Sequence, residues 1–341
     1  MALSSQPRVA IVGATGAVGQ ELIRLLQERW QLPPEDLVLL GSRSRMVELA
    51  GRQLQVQSAA EFDFTTAGLA FFSAGAGISA VLALKACNAG CVVIDNTSQF
   101  RYEPDVPLVI PPINAAAIGN ARLIANPNCT TAIILMALAP LHRAFGLKRL
   151  IVATYQAASG AGQQAMDELR AQTRAAADGV PLTHHRFPHQ LLYNLIPRID
   201  RVYDDGYTRE EKKLAWETRK ILLGQPLENL TVPIEATCVR VPTLRCHAAS
   251  VHLQTHRIVD LAKARDVLAQ APGVVVLDDA AQDQYPTPLA FGGRNEVGVG
   301  RLRQSAAFGA HGLAFWVCGD QLLRGAALNA IEIAECVFPR Q

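Results

Sequence analysis

The sequence predicts an α/β protein in two parts. A parallel sheet lined by helices fills the first third, and a mixed α+β region follows residue 127. Three observations carry this. The chain has 341 residues, 50% hydrophobic and 18% charged, which is too long for one ordinary core. Up to Asn128, short apolar runs alternate with helical periodicities, the pattern of strand–helix–strand crossovers. Near residue 128 the texture changes to longer elements with polar faces and a stretch rich in His, Pro and Asp. No repeat or low-complexity linker separates the parts. The expected division, residues 1–127 plus 318–341 against 128–317, therefore rests on texture.

Taken in order, "RVAIVGATGAVGQELIRLLQER" reads strand, Gly-rich turn, helix. Val9 to Val12 is continuously apolar, as in a strand covered on both faces. Leu22, Ile23, Leu25 and Leu26 recur at helical spacing. "DLVLLGSRS" is a second strand ending in a polar loop. "GLAFFSAG" and "CVVIDNTS" are two more, joined by the helical "ISAVLALKACNAG". "VPLVI" reads as a strand stopped by Pro111 and Pro112, and "ARLIANPN" follows. Next come a helix after Cys129, a strand in "LKRLIVATYQAAS" and a helix in "GAGQQAMDELRAQTRAAADG". Pro181 to Asp205 reads as extended loop. In "TREEKKLAWETRKILLG" Thr208 can cap a helix whose first turn carries Glu210 and Glu211. Two strands flank a break at Pro242 to Arg245. A helix and strand follow in "IVDLAKARDVLAQAPGVVVLDD". "LAFWVCGDQLLRGAALNAIEIAECV" is a strand and a long apolar helix able to return and cover the first sheet.

The net charge is +2 without a basic stripe, so no nucleic-acid partner is expected. No apolar run reaches the roughly 18–20 residues of a membrane span, and the N-terminal segment lacks the pattern of a secretory signal. The seven cysteines are odd in number, mostly in apolar segments, with no C-x-x-C. A disulfide framework or metal site is not expected, and a reducing cytoplasm fits.

Gly13, Gly16 and Gly19 form G-x-x-G-x-x-G between a strand and a helix. Glycines there let backbone N–H groups approach a pyrophosphate at the helix N-terminus. A plain tight turn has the same appearance. The second strand ends in Ser42, Arg43 and Ser44 and offers no carboxylate for ribose hydroxyls. Arg43 could pair with a 2′-phosphate, pointing to NADP(H), or the segment could be a solvated loop. Cys129, in "NPNCTTAIILMAL", stands between a turn and an apolar helix. It is either a buried small hydrophobe or a thiol at a helix start, where unsatisfied N–H groups and the dipole favour the thiolate.

At this point the chain resembles the aspartate-β-semialdehyde dehydrogenase family over nearly its whole length. The resemblance is carried by "VAIVGATGAVGQEL", "LGSRSR", "FRYEPDVPLVIP", "NPNCTTAI", "YQAASGAG", "FPHQLLYNLIP", "ETRKIL", "TCVRVPTLRCHAASV", "VGRLR" and "GDQLLRGAALNAIEIAE". Glyceraldehyde-3-phosphate dehydrogenase and N-acetylglutamyl-phosphate reductase are wider relatives that lack "YQAASGAG" and "RVPTLRCH". The resemblance implies a Rossmann-type NADP-binding domain and a glyceraldehyde-3-phosphate dehydrogenase-like α+β domain for catalysis and homodimerisation. It implies Cys129 as the nucleophile forming an acyl-enzyme, His247 as general acid/base, and Gln156 as the residue orienting the intermediate. Arg240 would grip the substrate carboxylate and Glu217 its ammonium. Arg101, Lys220 and Asn128 would bind phosphate. The cofactor would be held by Gly13, Thr15, Gly16, Ala17, Val18, Gly19, Ser42, Arg43, Ser44, Ser73, Ser159, Gly160 and Gln321. In the family, Arg240 and His247 lie on paired strand segments, and Glu217 and Lys220, three apart on a helix, share a side.

The implied reaction reduces L-aspartyl 4-phosphate to aspartate 4-semialdehyde with NADPH, releasing phosphate. The product would feed lysine, threonine and methionine synthesis and, in bacteria, the diaminopimelate branch. Three positions depart from the family pattern. Cys246 stands where a glycine commonly precedes the His, Pro112 replaces an acidic residue, and His189 replaces an aromatic. The alternatives are a related acyl-phosphate or acyl-CoA reductase, for which Glu217 would be unneeded in the CoA case, or a non-catalytic NADPH-binding paralogue.

Overall fold

The computed structural model describes residues 7–49, 52–225 and 231–339. The segment read as lacking a secretory signal begins at residues 1–6, outside the described residues. The chain divides into two compact units, residues 1–128 with 326–341, and residues 129–325.

The first unit is a seven-stranded sheet. Its strands are β1 (Val9–Val12), β2 (Leu37–Gly41), β3 (Arg45–Leu49), β4 (Arg52–Ser58), β5 (Leu69–Phe72), β6 (Val92–Asp95) and β7 (Leu123–Ala125), in the order β3-β4-β2-β1-β5-β6-β7. All pairings are parallel except β3 with β4. The apolar runs of β1, β5 and β6 are buried along their whole length, as parallel strands between two layers must be. Helices α1 (Ala17–Leu25), α2 (Ala76–Asn88) and the short α3 (Pro111–Asn114) belong to this unit.

Two expectations change here. The antiparallel β3–β4 pair follows directly on the polar loop after β2. "VPLVI" is not a strand: it makes one isolated bridge, Leu108 to Ala125. Pro107 and Pro111 remove the donors a ladder needs, and Pro111 and Pro112 instead open α3, where a missing N–H costs nothing.

The second unit holds a six-stranded sheet of order β11-β12-β13-β10-β8-β9. Its strands are β8 (Leu147–Gln156), β9 (Ile234–Arg240), β10 (His247–Thr255), β11 (Val274–Val276), β12 (Val297–Gln304) and β13 (Gly312–Gly319). Its helices are α4 (Cys129–Phe145), α5 (Gln163–Ala177), α6 (Arg209–Thr218), α7 (Leu261–Ala269) and α8 (Pro288–Phe291). Helix α4 is buried almost all round, as its uninterrupted apolar run requires. Thr208 caps α6 in a capping box with Glu211, whose other carboxylate oxygen accepts from the Cys238 N–H of β9 at 3.0 Å. Helix α6 runs on into a π-helical turn, Arg219–Leu223, closed by Gly224.

The return to the first unit comes at Ala326, not at 318. Cys318 and Gly319 complete β13, paired with Ala248 and His247 of β10. The returning helix α9 (Leu328–Val337) then packs on α1 and β6. Its Asn329 amide donates to the Val109 carbonyl at 2.9 Å and to Asn126 Oδ1 at 2.7 Å. Glu335 holds Arg29 at 2.7 Å.

Candidate active site

In the first unit, β1 leads into the glycine turn. Gly13 has φ +93°, and a Cβ there would lie 2.7 Å from the Ser73 carbonyl oxygen. A Cβ on Gly19 would lie 2.4 Å from the Gly13 carbonyl, so α1 can approach the turn only without a side chain. Gly16 is the N-cap of α1 and no side chain caps its N–H groups. Thr15, Ala17 and Val18 are half-buried around it, and Ser73 directly follows β5. Ser42, Arg43 and Ser44 are exposed after β2. Ser44 Oγ accepts from the Ser58 N–H at 3.0 Å, and Arg43 is left at the surface.

Arg101 is buried, with Nε on the Asn126 carbonyl and Nη2 on the Asn96 carbonyl, each at 2.8 Å. Asn128 is buried at the end of this unit.

In the second unit the β-ladder sets the site. Gln156, the last residue of β8, is the register partner of Arg240, the last of β9. On the other side of β8, Ala248 of β10 is opposite Tyr155, which puts His247 level with Gln156. Cross-strand partners point to the same face. Arg240, Gln156 and His247 thus form a row across β9, β8 and β10, all buried. The strands of Arg240 and His247 are not paired with each other, contrary to expectation, because β8 runs between them.

Each member is fixed. Arg240 Nη1 donates to the Ala157 carbonyl at 2.6 Å, and its guanidinium lies over Phe187, 5.9 Å from the ring centroid. His247 Nδ1 accepts from the Ala157 N–H at 3.1 Å, so the neutral ring carries its proton on Nε2. That Nε2 is buried with no partner among the described residues. Gly160 faces both: a Cβ there would be 2.9 Å from Arg240 Nη1, His247 Cε1 and His247 Nε2. Cys129, the first residue of α4, is partly exposed and close enough to Arg240 for their charges to interact. Gly325 packs on it, since a Cβ there would meet Cys129 Cβ at 2.7 Å.

Burial first, and then the charge of Arg240, push His247 down to about 3. An unfolded chain takes up this proton near 6.5. Between those values the unfolded state binds the extra proton, so stability present at neutral pH is lost as pH falls through the window. The loss is about 1.4 kcal/mol per pH unit from this group at most. His247→Gln should therefore lose stability less steeply than wild type between about pH 6 and 5 in urea titrations. Parallel slopes would sink this reading.

Cys246 has φ +75°, a conformation costly for any residue with a Cβ, which accounts for glycine suiting this position. Its thiol packs with Ala248, Phe291 and Cys318, on the face opposite His247, because alternate residues of a strand point apart. A hydrogen bond with Cys318, then burial, push this thiol far up. Cys246 is thus a buried thiol held protonated.

Gln321 is buried with its amide engaged on both ends, accepting from the Cys246 N–H at 2.8 Å and donating to Ser159 Oγ. It ties the turn after β8 to the start of β10. Glu217 is fully buried on α6, and Lys220 is half-buried in the π-helical turn beyond it. The pair therefore straddles a change in helical pitch. His189 is exposed and Pro112 half-buried. Among the described residues no cluster could hold a metal ion, and no helix is long and apolar enough to cross a membrane.

Glu210 and Lys213 were not singled out by sequence. Glu210 is buried, accepting from Gln156 Nε2 at 3.3 Å and pairing with Lys213 at 3.0 Å. A signal existed: Glu210, Leu214 and Glu217 recur at i, i+4, i+7, which puts two carboxylates on the buried stripe of α6.

Residues 8–121 match the family described as "Semialdehyde dehydrogenase, NAD binding domain", and residues 138–324 match "Semialdehyde dehydrogenase, dimerisation domain". The chain is 41% identical to an aspartate-semialdehyde dehydrogenase of Aquifex aeolicus, over 96% of this chain and 97% of that one. It is also 41% identical to the Bacillus subtilis protein of that name, over 96% of each chain. The crystal structure of aspartate semialdehyde dehydrogenase II of Vibrio cholerae, complexed with ASA, superposes with a TM-score of 0.90 at 42% identity over 98% of both chains.

Proposed function

Since the chain belongs to the semialdehyde dehydrogenase family, we propose that it reduces L-aspartyl 4-phosphate to aspartate 4-semialdehyde with NADPH, through a thioester on Cys129. The observation that carries this reading is the row Arg240, Gln156, His247 across one sheet face, with Gly160 and Cys129 beside it.

The first unit suits a nicotinamide dinucleotide. The close approaches at Gly13 and Gly19 leave a turn that any side chain would fill, and the N–H groups of α1 are uncapped. Thr15, Gly16, Ala17 and Val18 would line the pyrophosphate, Ser73 the adjoining strand end, and Ser42, Arg43 and Ser44 the 2′-phosphate of NADP. Ser159 and Gly160 would approach the nicotinamide, with Gln321 holding that turn in place. When bound, NADPH supplies the hydride.

Cys129, as thiolate, attacks the acyl carbon. Its place at the start of α4 and beside Arg240 favours the anion. The C–O bond to phosphate breaks and phosphate leaves, with Arg101, Lys220 and Asn128 as its ligands. Arg240 Nη2 and Nε make no hydrogen bond among the described residues and can take the substrate carboxylate. Glu217 would take its ammonium. His247 donates from Nε2 to the oxyanion that forms at the reacting carbon, as a neutral imidazole does. In the tautomer set by Ala157 it is a donor there and not a base. Collapse of the thiohemiacetal releases the aldehyde and restores the thiolate.

A homodimer through the second unit fits the dimerisation-domain match. The sheet face away from Gln156 is only partly covered: Ile151 stays 40% exposed in mid-strand. A cytoplasmic setting fits the free cysteines.

The test is NADP⁺ reduction with aspartate semialdehyde, with and without inorganic phosphate. The expected result is strict dependence on both. Equal rates without phosphate would overturn the acyl-phosphate reading, and faster turnover of a CoA thioester would replace it.

A further inference from the structure

Glu210 has no part in the scheme above, yet the polar core of the second unit converges on it. The residue is 6% exposed. One oxygen accepts from the Gln156 amide at 3.3 Å, and the other takes Lys213 Nζ at 3.0 Å. Lys213 is itself tied to Asp200 at 2.8 Å. The chain of contacts runs from surface to site as Asp200, Lys213, Glu210, Gln156, with alternating charge. The second donor position of the amide faces Thr154 Oγ1 at 3.4 Å.

A glutamine amide is nearly symmetric in shape, so packing alone does not decide which end faces a ligand. A carboxylate does, because it only accepts. With Nε2 committed to Glu210, Oε1 becomes the free end of Gln156. Beside the Arg240 guanidinium, the row then presents a neutral donor, His247 Nε2, and an acceptor, Gln156 Oε1, from neighbouring strands. An oxyanion is welcome at the first and repelled by the second. A hydroxyl or ammonium suits the second.

We propose that Glu210 is a positioning residue for the reaction: through Gln156 it fixes which end of the amide meets the intermediate, and so which way the thioester carbonyl turns. This rests on the reading that the reaction runs through Cys129. A second consequence is electrostatic. Glu210 offsets the Arg240 charge that bears on His247, with Lys213 its direct counter-ion. Arg240 also feels the charge of Cys129. Removing the anion should therefore let the Cys129 thiolate form at lower pH.

The experiment compares the full-length wild type with Glu210→Gln and Lys213→Met. Steady-state kinetics with aspartate semialdehyde, NADP⁺ and phosphate are one readout. The pH–rate profile of Cys129 alkylation by iodoacetamide, followed by mass spectrometry, is the other. In Glu210→Gln, kcat should fall about 10- to 100-fold with the substrate KM within about threefold of wild type. The alkylation profile should move to lower pH. A kcat within about twofold of wild type, or a coincident alkylation profile, overturns the proposal. If the wild type itself fails to turn over the semialdehyde, the substrate reading falls and the alkylation profile alone decides on Glu210. If Glu210→Gln does not fold, Lys213→Met decides through charge: loss of the cation should move the alkylation profile to higher pH, and a coincident profile or one moved to lower pH overturns the proposal.

Discussion

Cys129→Ala should abolish phosphate-dependent NADP⁺ reduction, lowering kcat/KM by at least about 10⁴-fold, while NADP⁺ affinity and melting temperature stay near wild type. The reason is local. Cys129 is the first residue of α4 and only partly buried. Alanine is the best helix former, so the substitution removes little but the sulfur. Without it no acyl-enzyme forms, and Arg240, Gln156 and His247 have nothing to act on. Cys129 is not among the residues proposed to hold the cofactor, so binding should be untouched, as quenching of tryptophan fluorescence by NADP⁺ would report. A variant that keeps more than about 1% of wild-type activity would sink the covalent route.

The second large effect is expected at Gly160→Ala. The added Cβ would stand 2.9 Å from Arg240 Nη1 and from both Cε1 and Nε2 of His247. Neither neighbour can easily give way. Arg240 is anchored on the Ala157 carbonyl, and His247 on the Ala157 N–H. The methyl also covers the one ring nitrogen free to meet substrate. A displacement of about 1 Å at such a site costs about 100-fold in rate, and overpacking costs about 1–3 kcal/mol in stability. Kinetics and thermal melts on one preparation would check both. Wild-type kcat in Gly160→Ala would show that His247 Nε2 is not where the chemistry occurs.

Much of the architecture was legible because burial leaves its mark on composition. β1, β5 and β6 read as strands since both faces are covered and every position is apolar. β3 and β4 did not, since "RMVEL" and "RQLQVQS" mix polar and apolar residues with no continuous run. "VPLVI" misled for the opposite reason: Leu108, Val109 and Ile110 are buried, but Pro107 and the following Pro111 cannot donate to a ladder. The site was legible unevenly. Cys129 declared itself by its place between a turn and a helix. Gln156 and Arg240 did not, because strand-end polar residues are common. The register that pairs them is a long-range property that no local window contains. Glu210 stood among first-turn acids whose ordinary task is to complement a helix end, and what separates it from the equally buried Glu211 is its contact with Gln156, where Glu211 serves Thr208 and Cys238.

The first unit is built from two stretches of chain far apart in sequence, joined where Asn329 bonds to Val109 and Asn126 and Glu335 to Arg29. A ribosome delivers one before and the other after the whole of residues 129–325. Residues 129–325 contain all their own strands and can close as they emerge. The earlier-made nucleotide-binding sheet must wait for α9, with β6 and α1 uncovered where that helix packs. Here the usual N-to-C order of assembly is reversed, and the half made first is the half finished last.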